Sequence, residues 1–311
     1  MRFLARLFLF TVLLASVSWC ADKHSDFARL LKRAQKGDVD AEFLLGLAYE
    51  KGRGVSQDYR EAARWYRKAG DSGSAGAQDN LGNLYLQGRG VERDDEAALK
   101  WYMRAAVQGL PAAETNVGAL YFKGQAGVKQ DDAEAARWFE KAAAQQDAQA
   151  ETNLALLYVK GLGVQRDPEK GARLYLAAAR QGNMHAQFSI AWMYERGYGV
   201  PLNASEAVSW YVKAGDQGYA PALNNLGYMH EHGEGIAQDT GKAIGFYRRA
   251  AELGLAEAQR NVDILARDRE FALDRTADPE QNDKQSTRTT TTAPPGAGTT
   301  DIQGSSPENK L

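Results

Sequence analysis

His230 and His232 flank Glu231 and stand close to Glu234. A His-x-His pair beside carboxylates is a fragment of a metal site, because neutral imidazole nitrogen and carboxylate oxygen both coordinate transition metals. A protein zinc site takes at least three side-chain ligands, and no third is evident nearby. Adjacent acids such as Asp94-Asp95 and Asp131-Asp132 are the pairing that general acid–base chemistry uses, yet each also fits the start of a helix, where carboxylates cap free amides and favour the dipole. The nucleophile motifs are missing: the sequence contains no Gly-x-Ser-x-Gly elbow, no Ser-x-x-Lys and no His-Glu-x-x-His. His24 lies beside an N-terminal apolar run, and Cys20 is the single cysteine, so neither an intramolecular disulfide nor a cysteine metal site can form. These residues lead us to expect no catalytic set, no cofactor and no metal, and a chain that is not an enzyme.

What positions such residues is a repeat. The sequence matches itself at a spacing of 36 residues. A Gly-x-Gly turn recurs as Gly52/Gly54, Gly88/Gly90, Gly124/Gly127, Gly161/Gly163, Gly197/Gly199 and Gly233/Gly235, the third copy carrying the extra residue Ala126. An aromatic pair or its variant follows each turn: Trp65-Tyr66, Trp101-Tyr102, Trp138-Phe139, Leu174-Tyr175, Trp210-Tyr211 and Phe246-Tyr247. A closing Gly (Gly73, Gly109, Gly182, Gly218, Gly254) ends five copies, and Gln146 stands in at the third.

Each copy reads as two helices. In the second, Ala77, Leu81, Leu84 and Tyr85 share one face of a 3.6-residue period, predicting helix A from about Ala77 to Gln87. Gly46, Gly82, Gly118 and Gly227, with Ala155 and Ala191 in the other copies, fall in mid-helix. A glycine there costs about 1 kcal/mol of propensity, so its recurrence predicts close approach by a neighbouring helix. Helix B begins at Asp58, Asp94, Asp131, Asp167, Asn203 and Asp239, all N-cap residues, with Glu61, Glu134 and Glu206 placed for a capping box. The closing Gly fits a left-handed helix stop. One helix pair cannot bury both apolar faces alone, so the copies must stack.

The unit Ala-x-x-Asn-Leu-Gly-x-x-Tyr, then Gly-x-Gly-Val, Asp, Trp-Tyr, Ala-Ala and Gly, as in residues 77–109, closely resembles the Sel-one-like repeat (SLR) family, a cousin of the tetratricopeptide repeat. The resemblance covers about residues 25–271. It departs at Ala126, Gln146, Leu174 and His230, the last replacing the helix A tyrosine. It implies an all-α fold, a right-handed α-α superhelical solenoid of tandem helix-turn-helix repeats, and a role as an adaptor that binds proteins. It supplies no catalytic residues, and the enzymatic alternative, a cell-wall or β-lactam hydrolase, is one that the resemblance implies and the motifs do not support. The expected organisation is an N-terminal capping helix at 25–38, six repeats at about 39–74, 75–110, 111–147, 148–183, 184–219 and 220–255, and a C-terminal capping helix at 256–271.

The expected working surface is the concave side, lined by helices A. Three positions per helix A form a stripe whose chemistry varies between copies: Phe43, Leu47, Glu50; Asp79, Asn83, Leu86; Thr115, Ala119, Phe122; Thr152, Leu156, Val159; Phe188, Trp192, Glu195; Asn224, Tyr228, Glu231. Phe188, Trp192 and Tyr228 would form an aromatic cluster, and exposed aromatics are favoured interface anchors. A row of amides, Asn80, Asn116, Asn153 and Asn225, can hold an extended peptide backbone or equally tie adjacent helices together. The candidate partner-binding residues are therefore Phe43, Leu47, Asn80, Asn83, Asn116, Phe122, Asn153, Phe188, Trp192, Asn225 and Tyr228.

The near balance of charge, 38 basic against 40 acidic residues, gives no electrostatic reason to expect nucleic acid or an anionic membrane as partner. Residues 1–20 have the shape of a secretory signal peptide: early arginines, an apolar run from Leu7 to Val17, then small residues. The expected location is the bacterial periplasm or the exterior. Val17-Ser18-Trp19-Cys20 resembles a lipoprotein box except at Trp19, which makes Cys20 a candidate for lipidation and gives a third reading, a tethered lipoprotein organising an export complex. A membrane is a partner only in that case. The Thr-, Pro- and Gly-rich segment 272–311 has almost no large apolar residue and is expected to be disordered.

Overall fold

The computed structural model describes the backbone of residues 26–277 and the side chains of residues 26–267. The expected signal peptide, Cys20 and the segment beyond Ala277 lie outside the described residues. Among those described, fourteen helices and no strands occur: α1 (26–35), α2 (Val39–Lys51), α3 (Tyr59–Asp71), α4 (Ala75–Gln87), α5 (Asp95–Val107), α6 (Pro111–Lys123), α7 (Asp132–Ala144), α8 (Ala148–Lys160), α9 (Pro168–Arg180), α10 (Met184–Arg196), α11 (Ala204–Asp216), α12 (Ala220–His232), α13 (Thr240–Glu252) and α14 (Ala256–Ala277). None of them is long and apolar enough to cross a membrane. The fold class is all-α, built from tandem helix-turn-helix repeats. The chain divides into two compact units, the first ending at Arg166 and the second starting at Asp167. Within each unit, helices pack in chain order, α2 on α3 through α7 on α8, and α9 on α10 through α13 on α14.

The helix boundaries follow from capping chemistry. All six expected B-helix caps form, the side-chain oxygen of Asp58, Asp94, Asp131, Asp167, Asn203 and Asp239 accepting from a first-turn amide at 2.8–3.2 Å. The reciprocal half of the capping box does not form in the described loops. The backbone N–H of Asp58, Asp94, Asp131, Asn203 and Asp239 already donates, at 2.8–3.1 Å, to the carbonyl of Tyr49, Tyr85, Tyr121, Tyr194 and His230 near the end of the preceding helix A. Glu61 and Glu134 turn instead to Arg64 and Arg137, one turn along the same helix. Helix A of the second copy begins at Ala75, two residues before the expected start, because Ser74 caps it. Where the A-helix cap is Leu110 or Tyr219, Pro111 or Pro221 sits in the first turn, where a missing N–H costs nothing. The last helix runs to Ala277 rather than ending at 271, since no Gly or Pro interrupts that stretch.

The core is a repeating set of small and aromatic residues. Ala77 and Leu81 of α4 bury fully against Ala62, Tyr66 and Ala69 of α3, and Ala222 and Leu226 are as deeply buried in the second unit. The second member of each aromatic pair is the main filler, Tyr66, Tyr102, Phe139, Tyr175, Tyr211 and Tyr247 all being buried. The mid-helix glycines make room for these rings. A Cβ on Gly82 would lie 2.7 Å from Cδ1 and Cε1 of Tyr102, one on Gly227 2.6 Å from the same atoms of Tyr247, and Gly46 and Gly118 face Tyr66 and Phe139 in the same way. The first member of the pair lies shallower, under a cation three residues on: Lys68 over Trp65, Arg104 over Trp101, Lys141 over Trp138 and Lys213 over Trp210. The only described non-glycine residues at positive φ are Ala126 (61°), the extra residue in the third copy's turn, and Gln146 (63°), which replaces that copy's closing Gly.

Candidate functional site

The amide row is occupied with structural ties. Asn116 Nδ2 donates to Asp79 Oδ1 at 2.9 Å, linking α6 to α4, and Asn261 Nδ2 donates to Asn224 Oδ1 at 3.0 Å, linking α14 to α12. Asn225 Nδ2 donates to the Tyr211 hydroxyl at 2.8 Å, and Asn80 lies against the Tyr66 hydroxyl. Asn83 accepts from the Tyr102 hydroxyl at 3.0 Å and donates toward Asp79. Asn153 is buried and accepts from Gln149. Of the two readings of this row, tying helices together describes these contacts. Burial pushes the Asp79 carboxyl above its ordinary range, against the opposing pull of its bonds to Asn116 and Asn83.

The aromatic residues divide differently from the expected cluster. Phe188 is 2% exposed and packs on Tyr211 and Tyr219, with centroids 5.6 and 5.2 Å away. It fills a gap between helices and offers no surface, a correction that follows from its place at the seam with α11. Trp192 and Tyr228 do come together, on the wall of a cleft of about 450 Å³. In the first unit, Phe43 is half-buried against Tyr66, Phe122 is half-buried, and Leu47 joins Phe27, Leu30, Leu44 and Val55 around an apolar groove.

The cleft belongs wholly to the second unit. Helix α10 supplies Trp192, Glu195 and Arg196, α12 supplies Asn224, Asn225, Tyr228, Glu231 and His232, and α14 supplies Glu257, Asn261, Ile264 and Leu265, with Tyr247 of α13 behind. It forms because stripe positions on successive helices A stack at one level, and α14 closes it as a further helix A. The tyrosines at its base fix two carboxylates: Tyr211 donates to Glu195 Oε2 at 2.6 Å and Tyr247 to Glu231 Oε2 at 2.7 Å. Burial first, then the adjacent carboxylate, pushes both hydroxyls well above the usual tyrosine range. Tyr228, 36% exposed, stacks on His232 with centroids 4.2 Å apart, and Trp192 meets Tyr198 edge-on at 5.8 Å.

The two histidines diverge. His230 is buried and stacks on Phe246, whereas His232 is exposed on Tyr228 with Nδ1 at 3.0 Å from the Tyr228 carbonyl. No group of three metal-ligating side chains gathers among the described residues. Sequence reasoning placed Glu195 and Glu231 on the variable stripe without selecting them, and it missed Glu257 and Ile264 altogether. The available signal was the shared stripe position of the two glutamates in consecutive copies. It also overlooked buried polar residues, in both units, that stand next to the core alanines of helices A. Gln78 Nε2 donates to Gly70 O at 2.7 Å, Gln187 Nε2 to Ala179 O at 3.1 Å, and Gln108, Gln145 and Gln217 bond Gln78, Glu114 and Gln187.

The model of the Sel1 repeat matches six times, at residues 39–74, 75–110, 111–147, 148–183, 185–219 and 220–255. Among solved structures, the chain is similar to a protective antigen of uropathogenic Escherichia coli strains displaying an SLR fold, with 36% identity and a TM-score of 0.68 over 76% of this chain. That match spans 50% of the antigen's length. A Sel1 repeat protein from Oxalobacter formigenes is 30% identical, with a TM-score of 0.68, over 78% of this chain and 95% of its own. No curated protein matches the sequence.

Proposed function

Because the chain belongs to the Sel1 repeat family, whose members generally serve as protein-interaction scaffolds, we propose that it is a non-enzymatic scaffold that is exported and holds a partner protein against the exposed stripe of its helices A. A fold alone hosts many functions, so the reading must rest on a site. The observation that carries it is the cleft in the second unit, where Trp192 and the partly exposed Tyr228 stand on a rigid helical wall. Aromatic side chains of this kind, held in place before binding, are what protein interfaces use as anchors. The apolar run before Cys20 supports export, to the bacterial periplasm or beyond.

The test is capture of partners from an envelope extract by the full chain, compared with the double variant Trp192→Ala, Tyr228→Ala and read by quantitative mass spectrometry. A reproducible partner that falls at least tenfold with the variant is expected. Identical capture by both proteins would refute the assignment of this surface, and no reproducible partner would refute the scaffold. Export is checked separately by sequencing the N-terminus of the protein recovered from the periplasm and by palmitate labelling of wild type against Cys20→Ser.

A further inference from the structure

We propose that the cleft between α10, α12 and α14 receives a positively charged side chain, an arginine on an extended segment of the partner, with its guanidinium among Glu195, Glu231 and Glu257 and its methylenes along Trp192 and Tyr228. This rests on the scaffold reading and narrows the class of partner. The volume, about 450 Å³, suits one long side chain and a short stretch of backbone. The lining carries three carboxylates, those of Glu195, Glu231 and Glu257, against the single guanidinium of Arg196.

The carboxylates are held ready for a donor. Tyr211 and Tyr247 each occupy one oxygen of Glu195 and Glu231, which fixes the groups and leaves the second oxygen of each. On Glu195 that oxygen has only a 3.4 Å contact to Arg196. Among the described residues no ion pair reaches Glu231 or Glu257. The phenol of Tyr228 is pushed up from its ordinary range by burial and then by Glu234, Glu195 and Glu231, with Arg196 opposing, so the wall sits in a net negative field. A guanidinium suits such a place: it is weakly hydrated, planar, able to lie on a ring face, and able to bond two carboxylates at once. Asn261 donates through Nδ2 to Asn224 Oδ1, which leaves Asn261 Oδ1 and Asn224 Nδ2 as an acceptor and a donor for the partner's backbone.

The experiment uses a fluorescein-labelled heptapeptide of alanine and glycine with a central arginine, and the same peptide with citrulline, the neutral isostere, in its place. Fluorescence anisotropy with the full chain at low salt should show the arginine peptide binding about tenfold more tightly, a difference of ~1.4 kcal/mol. In the double variant Glu231→Gln, Glu257→Gln, with unchanged circular dichroism, that preference should fall to within about twofold, and about 0.5 M salt should erode it in wild type. Equal binding of the two peptides, no saturable binding of either, or a preference that survives the double variant would overturn the proposal. The partner capture described above separates the two claims. A partner lost with Trp192→Ala, Tyr228→Ala but retained by Glu231→Gln, Glu257→Gln leaves the scaffold standing and refutes the cation site; no partner at all refutes the scaffold.

Discussion

Replacing Gly82 by Ala should destabilise the chain although alanine is the better helix former. The substitution returns about 1 kcal/mol of helix propensity. The new methyl carbon, however, would lie 2.7 Å from Cδ1 and Cε1 of Tyr102 and 3.1 Å from Cζ. Carbon atoms rest at roughly 3.5–4.0 Å, so the ring must retreat by about 1 Å. It has little room, since Tyr102 is 1% exposed and its hydroxyl is tied to Asn83 at 3.0 Å. Overpacking of this sort costs about 1–3 kcal/mol, and lengthening the hydroxyl bond adds up to about 1 kcal/mol. The balance is a loss of between about 0 and 3 kcal/mol, centred near 1.5 kcal/mol. Gly245 of α13 is the control, because nothing lies within 4 Å of its Cβ position. Gly245→Ala should stabilise by up to about 1 kcal/mol. Thermal melts followed by circular dichroism compare the two, with hydrogen exchange of α4 and α5 as the local readout, since repeat arrays need not melt in one step. In a Tyr102→Leu background, Gly82→Ala should lose most of its cost. If Gly82→Ala raises Tm as Gly245→Ala does, close approach of the ring is not why a glycine stands there.

Phe188→Ala should cost about 3–5 kcal/mol, as for a buried ring, while Trp192→Ala should cost far less and act on binding; urea denaturation distinguishes them. Asp79→Asn should flatten the dependence of stability on pH, while losing one of the two oxygens that accept from Asn116 and Asn83. The folded-state carboxyl sits above its unfolded value, so wild-type stability is greatest below the ordinary carboxylate range and falls as pH rises toward the folded value; Tm against pH should lose that slope in the variant. Gln146→Gly should raise stability by up to about 1 kcal/mol by relieving a left-handed backbone at φ 63°, visible as a higher Tm.

The hairpins, their caps and their stops were legible because each depends on residues close in sequence. Asp58 and its equivalents cap from within one turn, and the recurring mid-helix glycines gave away the approach of a ring. The two irregular turns announced themselves through Ala126 and Gln146, the residues that the structure holds at positive φ. What stayed hidden depends on packing across helices. Gln78, Glu114 and Gln187 stand next to the core alanine and look solvated on a single helix, yet the end of a B helix covers them. Phe188 was grouped with Trp192 by spacing alone, although its ring turns into the seam beside Tyr219. The cleft took its third wall from α14, where Ile264 continues the stripe position of Tyr228 beyond the sixth copy and Glu257 stands one residue ahead of the core alanine, off the stripe.

The second glycine of an interhelical turn rests directly on the opening turn of the helix B one repeat earlier: Gly90 on Tyr59, Gly163 on Asp132, Gly199 on Pro168 and Gly235 on Ala204, where any side chain would overlap backbone. Ser205 fastens one such contact with a bond to the Gly235 carbonyl at 3.2 Å. The hairpins so placed are thus clamped by their successors, and among the described residues only α14 follows α13, with no turn pressing on its start. Its first turn carries Gly241, which touches little beyond its own cap. Amide protons should exchange there before those at the start of α11, so unravelling of the second unit begins at the hairpin that no described turn latches.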